Sequence, residues 1–179
     1  MELEFRETQV ADLDALFDLR GRTRQNPLSR EALAKVGITP ASTERELIAG
    51  NIWGAVCTHN TRTVGFCTGN VHTGEILVLA VLPDYEGHGV GTQLLSRVVD
   101  RLQAAGAERI WLAASADPTV RAYGFYRALG WMPNGQRMAN GDEILELYRG
   151  GTLTGRTPVA RVPKHHGFVD ENNGGYFSP

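Results

Sequence analysis

The chain has 179 residues, 42% hydrophobic, 21% charged and 8% aromatic, which are the proportions of an ordinary folded protein and exclude a disordered, collagenous or membrane chain. A compact fold of this length buries roughly 70% of the surface its unfolded chain exposes, so a core forms without a disulfide or a metal. Eighteen Lys and Arg against twenty Asp and Glu leave a formal charge of -2, too weak a field for a dedicated nucleic-acid binder.

The start, Met1 to Glu7, is acidic and lacks the basic and apolar regions of a secretory signal, so a cytoplasmic protein is expected. Leu3 to Arg6 alternates as a strand, and Asp12 to Arg24 carries Leu13, Leu16, Phe17 and Leu19 at helical spacing. Ser29 caps a short helix through Val36, and Thr43 to Glu46 has the capping-box spacing for another turn or two before Gly50. Asn51 to His59 and Arg62 to Val71 are rich in β-formers and read as a hairpin turning at Asn60 and Thr61. That hairpin sets Cys57 opposite about Val64 and Cys67 opposite about Gly54, too far out of register for a disulfide, so both thiols read as small core groups.

Glu75 to Leu82 is almost continuously aliphatic and reads as a central strand covered on both faces; it falls far short of the ~18 apolar residues of a membrane span. Val90, Leu94, Leu95, Val98, Val99 and Leu102 define a strong amphipathic helix ending near Gly106. Arg109 to Ala113 is a further strand, Val120 to Leu129 a helix closed by Gly130, and Glu143 to Tyr148 a last strand, with room for one more short strand after Trp131. From Gly150 onward glycine and proline dominate, and residues 150–179 read as an extension to a domain of residues 1–149. His165, His166, Asp170 and Glu171 in that extension lack metal-ligand spacing, so no metal site is expected. Trp53, Trp111 and Trp131 read as core residues.

The segment Leu79 to Thr92 is a buried strand, then a glycine-rich loop, then a helix N-terminus. Such a helix start offers unpaired N–H groups and a positive end, and glycines let phosphate oxygens approach them. The candidate donors are the amides of Gly87, His88, Gly89, Val90, Gly91 and Thr92. A P-loop would require Gly-Lys-Ser/Thr and a Rossmann turn GxGxxG, whereas the spacing here is GxGxG.

Glu86-x-x-Gly89-x-Gly91 after one strand, followed by Phe125-Tyr126-Arg127-Ala128-Leu129-Gly130-Trp131 after the next strand and helix, resembles the two signatures of the GNAT superfamily of acyl-CoA-dependent N-acyltransferases. The resemblance covers about residues 3–148 and implies an α/β GNAT fold, a central mixed, mostly antiparallel sheet flanked by helices, here with a C-terminal tail. It implies that Leu79, Ala80 and Val81 face the pantetheine arm of acetyl-CoA and that Glu86 to Thr92 wrap its pyrophosphate. Glu86 departs from the family's Gln or Arg; its carboxylate is expected to point to solvent, offset by His88 and by Arg121 or Arg127.

Acyl transfer to an amine of pKa ~10 needs a base, and a thiolate leaving group of pKa ~8.5 is helped by a donor still protonated at pH 7. By the resemblance, Tyr126 is the candidate acid and Glu75, at the start of its strand as in the histone acetyltransferase branch, the candidate base. An ordinary carboxylate is ~6 pKa units, about 8 kcal/mol, too weak for an ammonium of ~10.4, so burial must raise Glu75, the site must depress the amine, or water must relay the proton. Arg20 and Arg24, at i and i+4 on one helical face, are candidates to fix a carboxylate or phosphate of the acceptor. The reading is an N-acetyltransferase acting on a small-molecule amine by direct attack, with a protein or peptide N-acetyltransferase and a non-catalytic acyl-CoA-binding regulatory module as alternatives. Neither nucleic acid nor membrane is an expected partner, and a homodimer is left open.

Overall fold

A computed structural model describes residues 2–25 and 27–147. The expectations for the extension, its histidines and the boundary at residue 150 lie outside those residues.

Strands β1 (Glu4–Glu7), β2 (Ile52–His59), β3 (Arg62–Asn70) and β4 (Ile76–Val81) form an antiparallel ladder in chain order. Strands β5 (Trp111–Ala114), β6 (Trp131–Arg137) and β7 (Glu143–Leu147) form a second, in the order β5-β7-β6. β6 is the extra strand for which the sequence leaves room after Trp131. The helices are α1 (Leu13–Arg20), α2 (Arg30–Lys35), α3 (Pro40–Ile48), α4 (Val90–Ala104) and α5 (Arg121–Ala128).

α4 lays its buried row Val90, Leu94, Leu95, Val98, Val99 and Leu102 against β2, β3 and β4. Gly65 and Gly69 of β3 make the close approach feasible: a Cβ at Gly69 would stand 2.8 Å from both Val98 and Leu102, closer than side chains tolerate. The alternate residues Phe66 and Thr68 face the opposite side, where α1 and α3 pack.

Four expectations are corrected by the coordinates. β4 is not flanked by strands along its length: it is the edge of its ladder, joined to the second sheet by a single parallel bridge between Glu75 and Trp111 among the described residues. Gly74 permits that junction, since at φ +70° a Cβ would lie 1.8 Å from the Arg109 carbonyl oxygen. α1 stops at Arg20, not Arg24, because the loop takes over its last carbonyl: the Leu28 amide and the Thr23 hydroxyl both donate to the Arg20 oxygen. α3 is capped by Thr39 and Ser42 with Pro40 in its first turn, so Thr43 lies inside the helix. The hairpin turns at Asn60 and Thr61 with positive φ as expected, yet Cys57 pairs with Gly65 and Cys67 with Ala55, because an irregularity between Cys57 and Thr58 shifts the register; both thiols are free and buried.

Candidate active site

The two sheets part beyond their single bridge, and from Leu77 onward β4 has no strand partner on that side among the described residues. A bulge accentuates the parting: Val78 pairs with Thr68 and Ile76 with Gly69, leaving Leu77 as an extra residue. Peptide groups along this half of β4 are thereby available to a ligand instead of to a neighbouring strand.

The glycine-rich loop follows at the end of β4. Gly87 and Gly89 have φ of +79° and +78°, and a Cβ at either would meet nothing within 4 Å, so the backbone lies open. Gly89 caps α4, and the first ladder bond comes from the Gln93 amide to the Gly89 oxygen. The amides of Val90, Gly91 and Thr92 therefore precede the helical ladder, at the positive end of a 15-residue helix. A cleft of about 340 Å³ runs from Leu79 and Val81 across this loop to Arg121, Ala122 and Phe125 of α5. Ala80 and His88 lie outside its lining; the His88 ring turns back to the Glu86 carbonyl at 3.0 Å.

Glu86 does not point to solvent. Its side chain is 19% exposed and holds two cations, Arg121 at 2.5 Å and Arg24 at 3.2 Å. Net local charge is then that of one cation, which suits an anion site despite the acid. Arg127 is not part of this group, being paired with Glu143. The Arg121 amide also donates to Gln25 Oε1 at 3.1 Å, so the α1–α2 loop, the glycine loop and the start of α5 are tied together. Arg121 is anticipated as a cation offsetting Glu86, whereas Ala122 and Phe125 are not anticipated as lining residues, although the i, i+1, i+4 spacing of the three beside the buried Tyr126 marks one face of a helix.

Tyr126 is 1% exposed, held edge-on between Phe125 and Trp131 at centroid separations of 5.1 and 5.9 Å. It lines neither the coenzyme-side cleft nor the cavity on the α1 side, and it is within electrostatic reach of Arg20. Arg20 is 4% exposed, and burial pulls its guanidinium down to about 10, the nearby Tyr126 opposing that shift. The structure separates Arg20 from Arg24: with α1 ended at Arg20, they share no helical face, and Arg24 turns to Glu86.

Glu75 is 3% exposed at the bridge between the sheets, and its Oε1 has no hydrogen-bond partner among the described residues. Burial raises its carboxyl to about 8, more than the charge of Arg109 lowers it. At about 3.3 Å per residue, Glu75 lies roughly 13 Å along β4 from Leu79, and it lines neither the coenzyme-side cleft nor the cavity on the α1 side.

Residues 13–131 match the Acetyltransferase (GNAT) family, and the chain belongs to that family. It is 41% identical over 83 residues to an uncharacterized N-acetyltransferase ycf52-like protein of Prochlorococcus marinus, covering 44% of each chain. It is 39% identical over 61 residues to the mycothiol acetyltransferase of Beutenbergia cavernae, covering 34% of this chain and 20% of that one. The matched stretches thus span less than half the length of these curated relatives. Among solved structures, the PaiA N-acetyltransferase of Thermoplasma acidophilum in complex with coenzyme A is alike in fold at a TM-score of 0.68, with 18% identity over 83% of this chain and 100% of that one. The ribosomal-protein-S18-alanine N-acetyltransferase of Escherichia coli is alike at a TM-score of 0.56, with 23% identity over 86% and 99%.

Proposed function

We propose that the protein transfers an acetyl group from acetyl-CoA to a primary amine of a small molecule by direct attack. The observation that carries this reading is the open glycine cradle at the start of α4, continuous with a cleft that follows the unpartnered edge of β4. The residues present fit the coenzyme: the amides of Gly87 to Thr92 with Arg121 suit its phosphates, and the free edge of β4 at Leu79 to Val81 suits its amide-bearing arm. When bound, acetyl-CoA supplies an activated acyl carbon and a thiol leaving group.

The chain's own groups then have three tasks. β4 and the cradle fix the donor beside the acceptor and exclude water, which is where most of the gain from proximity arises. Tyr126 supplies a proton to the leaving sulfur; a phenol of ordinary pKa ~10 is about 1.5 units, or 2 kcal/mol, uphill for a thiolate of ~8.5, and the Arg20 cation favours the phenolate that results. Glu75 accepts the amine proton through water. Raised to about 8, it stands ~2.4 units below an ammonium of ~10.4 instead of ~6, so about 3 kcal/mol remains to be met by depression of the amine.

The acceptor side is the face of β4 carrying Leu77 and Val78, beneath α1 and α3, with Arg20 at its wall. Arg24, engaged with Glu86, belongs to the coenzyme side instead. Among the described residues no helix is long and apolar enough to cross a membrane, and the buried free Cys57 and Cys67 suit a reducing, cytoplasmic setting. Release of free thiol from acetyl-CoA against a panel of amines tests the reading. Acceptor-dependent release is expected, whereas coenzyme binding with no release for any amine would leave a regulatory acyl-CoA module.

A further inference from the structure

A second cavity, of about 110 Å³, lies on the opposite face of β4 from the coenzyme cleft, between α1, α2, α3 and the sheet. Its walls are largely aliphatic and aromatic, from Leu16, Phe17, Leu33, Leu47 and Phe66, with Leu77 and Val78 of the bulge as the side next to β4. Four polar residues interrupt that lining: Thr8, Arg20, Thr43 and Thr68. Thr8 is 6% exposed, and its hydroxyl has no hydrogen-bond partner among the described residues; the guanidinium-bearing Arg20 also stands at the wall. Voids left by imperfect packing are apolar throughout, whereas apolar walls with a few placed polar groups are the composition of ligand pockets.

Resting on the acetyltransferase reading, we infer that this cavity receives the arm of the acceptor, and that the acceptor is a monoamine whose arm is a compact, branched alkyl group of about three to five carbons, bare or ending in a hydroxyl, with no second cation. Size sets the first limit: the sheltered space of about 110 Å³ is smaller than the roughly 150 Å³ cavity that accepts benzene, so it fits a branched alkyl group, while the rest of a longer chain would leave through the open mouth and gain no burial. Charge sets the second. Arg20 remains a cation at neutral pH, and a distal ammonium brought into the same low-dielectric space would be repelled, which disfavours diamines, polyamines and lysine-rich tails. Position sets the third. Val78 lines this cavity and Leu79 the coenzyme cleft, so consecutive residues of β4 face the two reactants, and an amine at the mouth of the cavity meets the donor at the strand's free edge.

Each methylene buried is worth about fourfold in kcat/KM, so 3-methylbutylamine should exceed ethylamine by at least tenfold and 1,4-diaminobutane by on the order of a hundredfold. Thr43 lines the cavity from α3, and Thr43→Leu narrows it with a good helix former; the ratio of 3-methylbutylamine to ethylamine should fall about tenfold in that variant. Calorimetric titration of each amine into the full-length protein saturated with coenzyme A gives binding independent of turnover, and coenzyme affinity of the variant reports its folding. Selective binding of the branched amine without turnover would uphold the cavity and overturn catalysis. Equal or better binding and turnover of the diamine, an unchanged ratio in folded Thr43→Leu, or no binding of any of the amines would overturn the inference.

Discussion

Glu86 binds Arg121 at 2.5 Å in the wall of the coenzyme-side cleft, and so an acid at a polyanion site serves to hold a cation there. Left bare, a carboxylate about 4 Å from a phosphate costs about 1 kcal/mol in water, roughly fivefold in affinity, and more when shielded. Arg121→Ala therefore has two effects, loss of the nearer cation and a Glu86 held by Arg24 alone at 3.2 Å, and should weaken coenzyme A binding at least tenfold. Glu86→Gln alone should change affinity less than threefold, since its charge is already matched. The double variant should recover most of the loss, and titration calorimetry of the four proteins gives the coupling directly. Additive effects of the two substitutions would show that the pair does not act as a unit.

The turn at Gly89 makes a second prediction. Its φ of +78° is one that a β-branched residue adopts only with strain, and its open Cα side is where a phosphate would approach. Gly89→Val should lower coenzyme affinity tenfold or more and reduce the melting temperature by only a few degrees, because nothing in the core contacts that position. Unchanged affinity in the folded variant would remove the loop from the site.

The elements with strong periodicity are legible in the sequence: the apolar row of α4, the Asn60-Thr61 hairpin and the strand–glycine loop–helix unit follow from side-chain spacing and turn chemistry alone. The features set by tertiary competition are not. α1 ends early because a distant amide, Leu28, and a threonine hydroxyl capture the Arg20 carbonyl, which no helical pattern reveals. The edge position of β4 follows from Gly74 and Arg109 meeting at one bridge, and the ion pairs of Glu86 join residues from three separate segments. The bulge at Leu77 leaves an unbroken aliphatic run in the sequence, so the break in alternation that turns both Leu77 and Val78 toward the α1-side cavity is invisible there.

Tyr126 and Arg20 make a third prediction. Tyr126→Phe keeps the ring between Phe125 and Trp131 and removes only the hydroxyl, so turnover should fall by a factor on the order of 10 to 1000 with acetyl-CoA affinity little changed. Arg20→Met retains the bulk of a buried side chain and removes the charge that favours phenolate, and should shift the alkaline limb of the pH–rate profile upward. A profile identical to that of the unaltered protein would restrict Arg20 to the acceptor cavity.

Glu75 allows a prediction in which stability and activity move in opposite directions. Its carboxyl is held at about 8 in the folded chain against an ordinary value of 4.5, so between those values the folded state keeps a proton that the unfolded state has lost. Stability therefore falls as pH rises from about 5 to 8, and above 8 the folded protein carries a buried carboxylate. The contribution is roughly 3 to 5 kcal/mol at pH 8, at about 1.36 kcal/mol per pKa unit. Glu75→Gln, neutral at every pH, should flatten that slope and melt higher than the unaltered protein at pH 8 while matching it near pH 5. As a base, by contrast, Glu75 acts only when ionised, so the unaltered enzyme should gain kcat/KM through a limb near pH 8 that Glu75→Gln lacks, and the variant's deficit should widen as pH rises. Thermal melts from pH 5 to 9 alongside pH–rate profiles check both signs. A variant that gains stability at pH 8 and keeps the full kinetic limb would make Glu75 a buried strain at the sheet junction and assign the proton to another group.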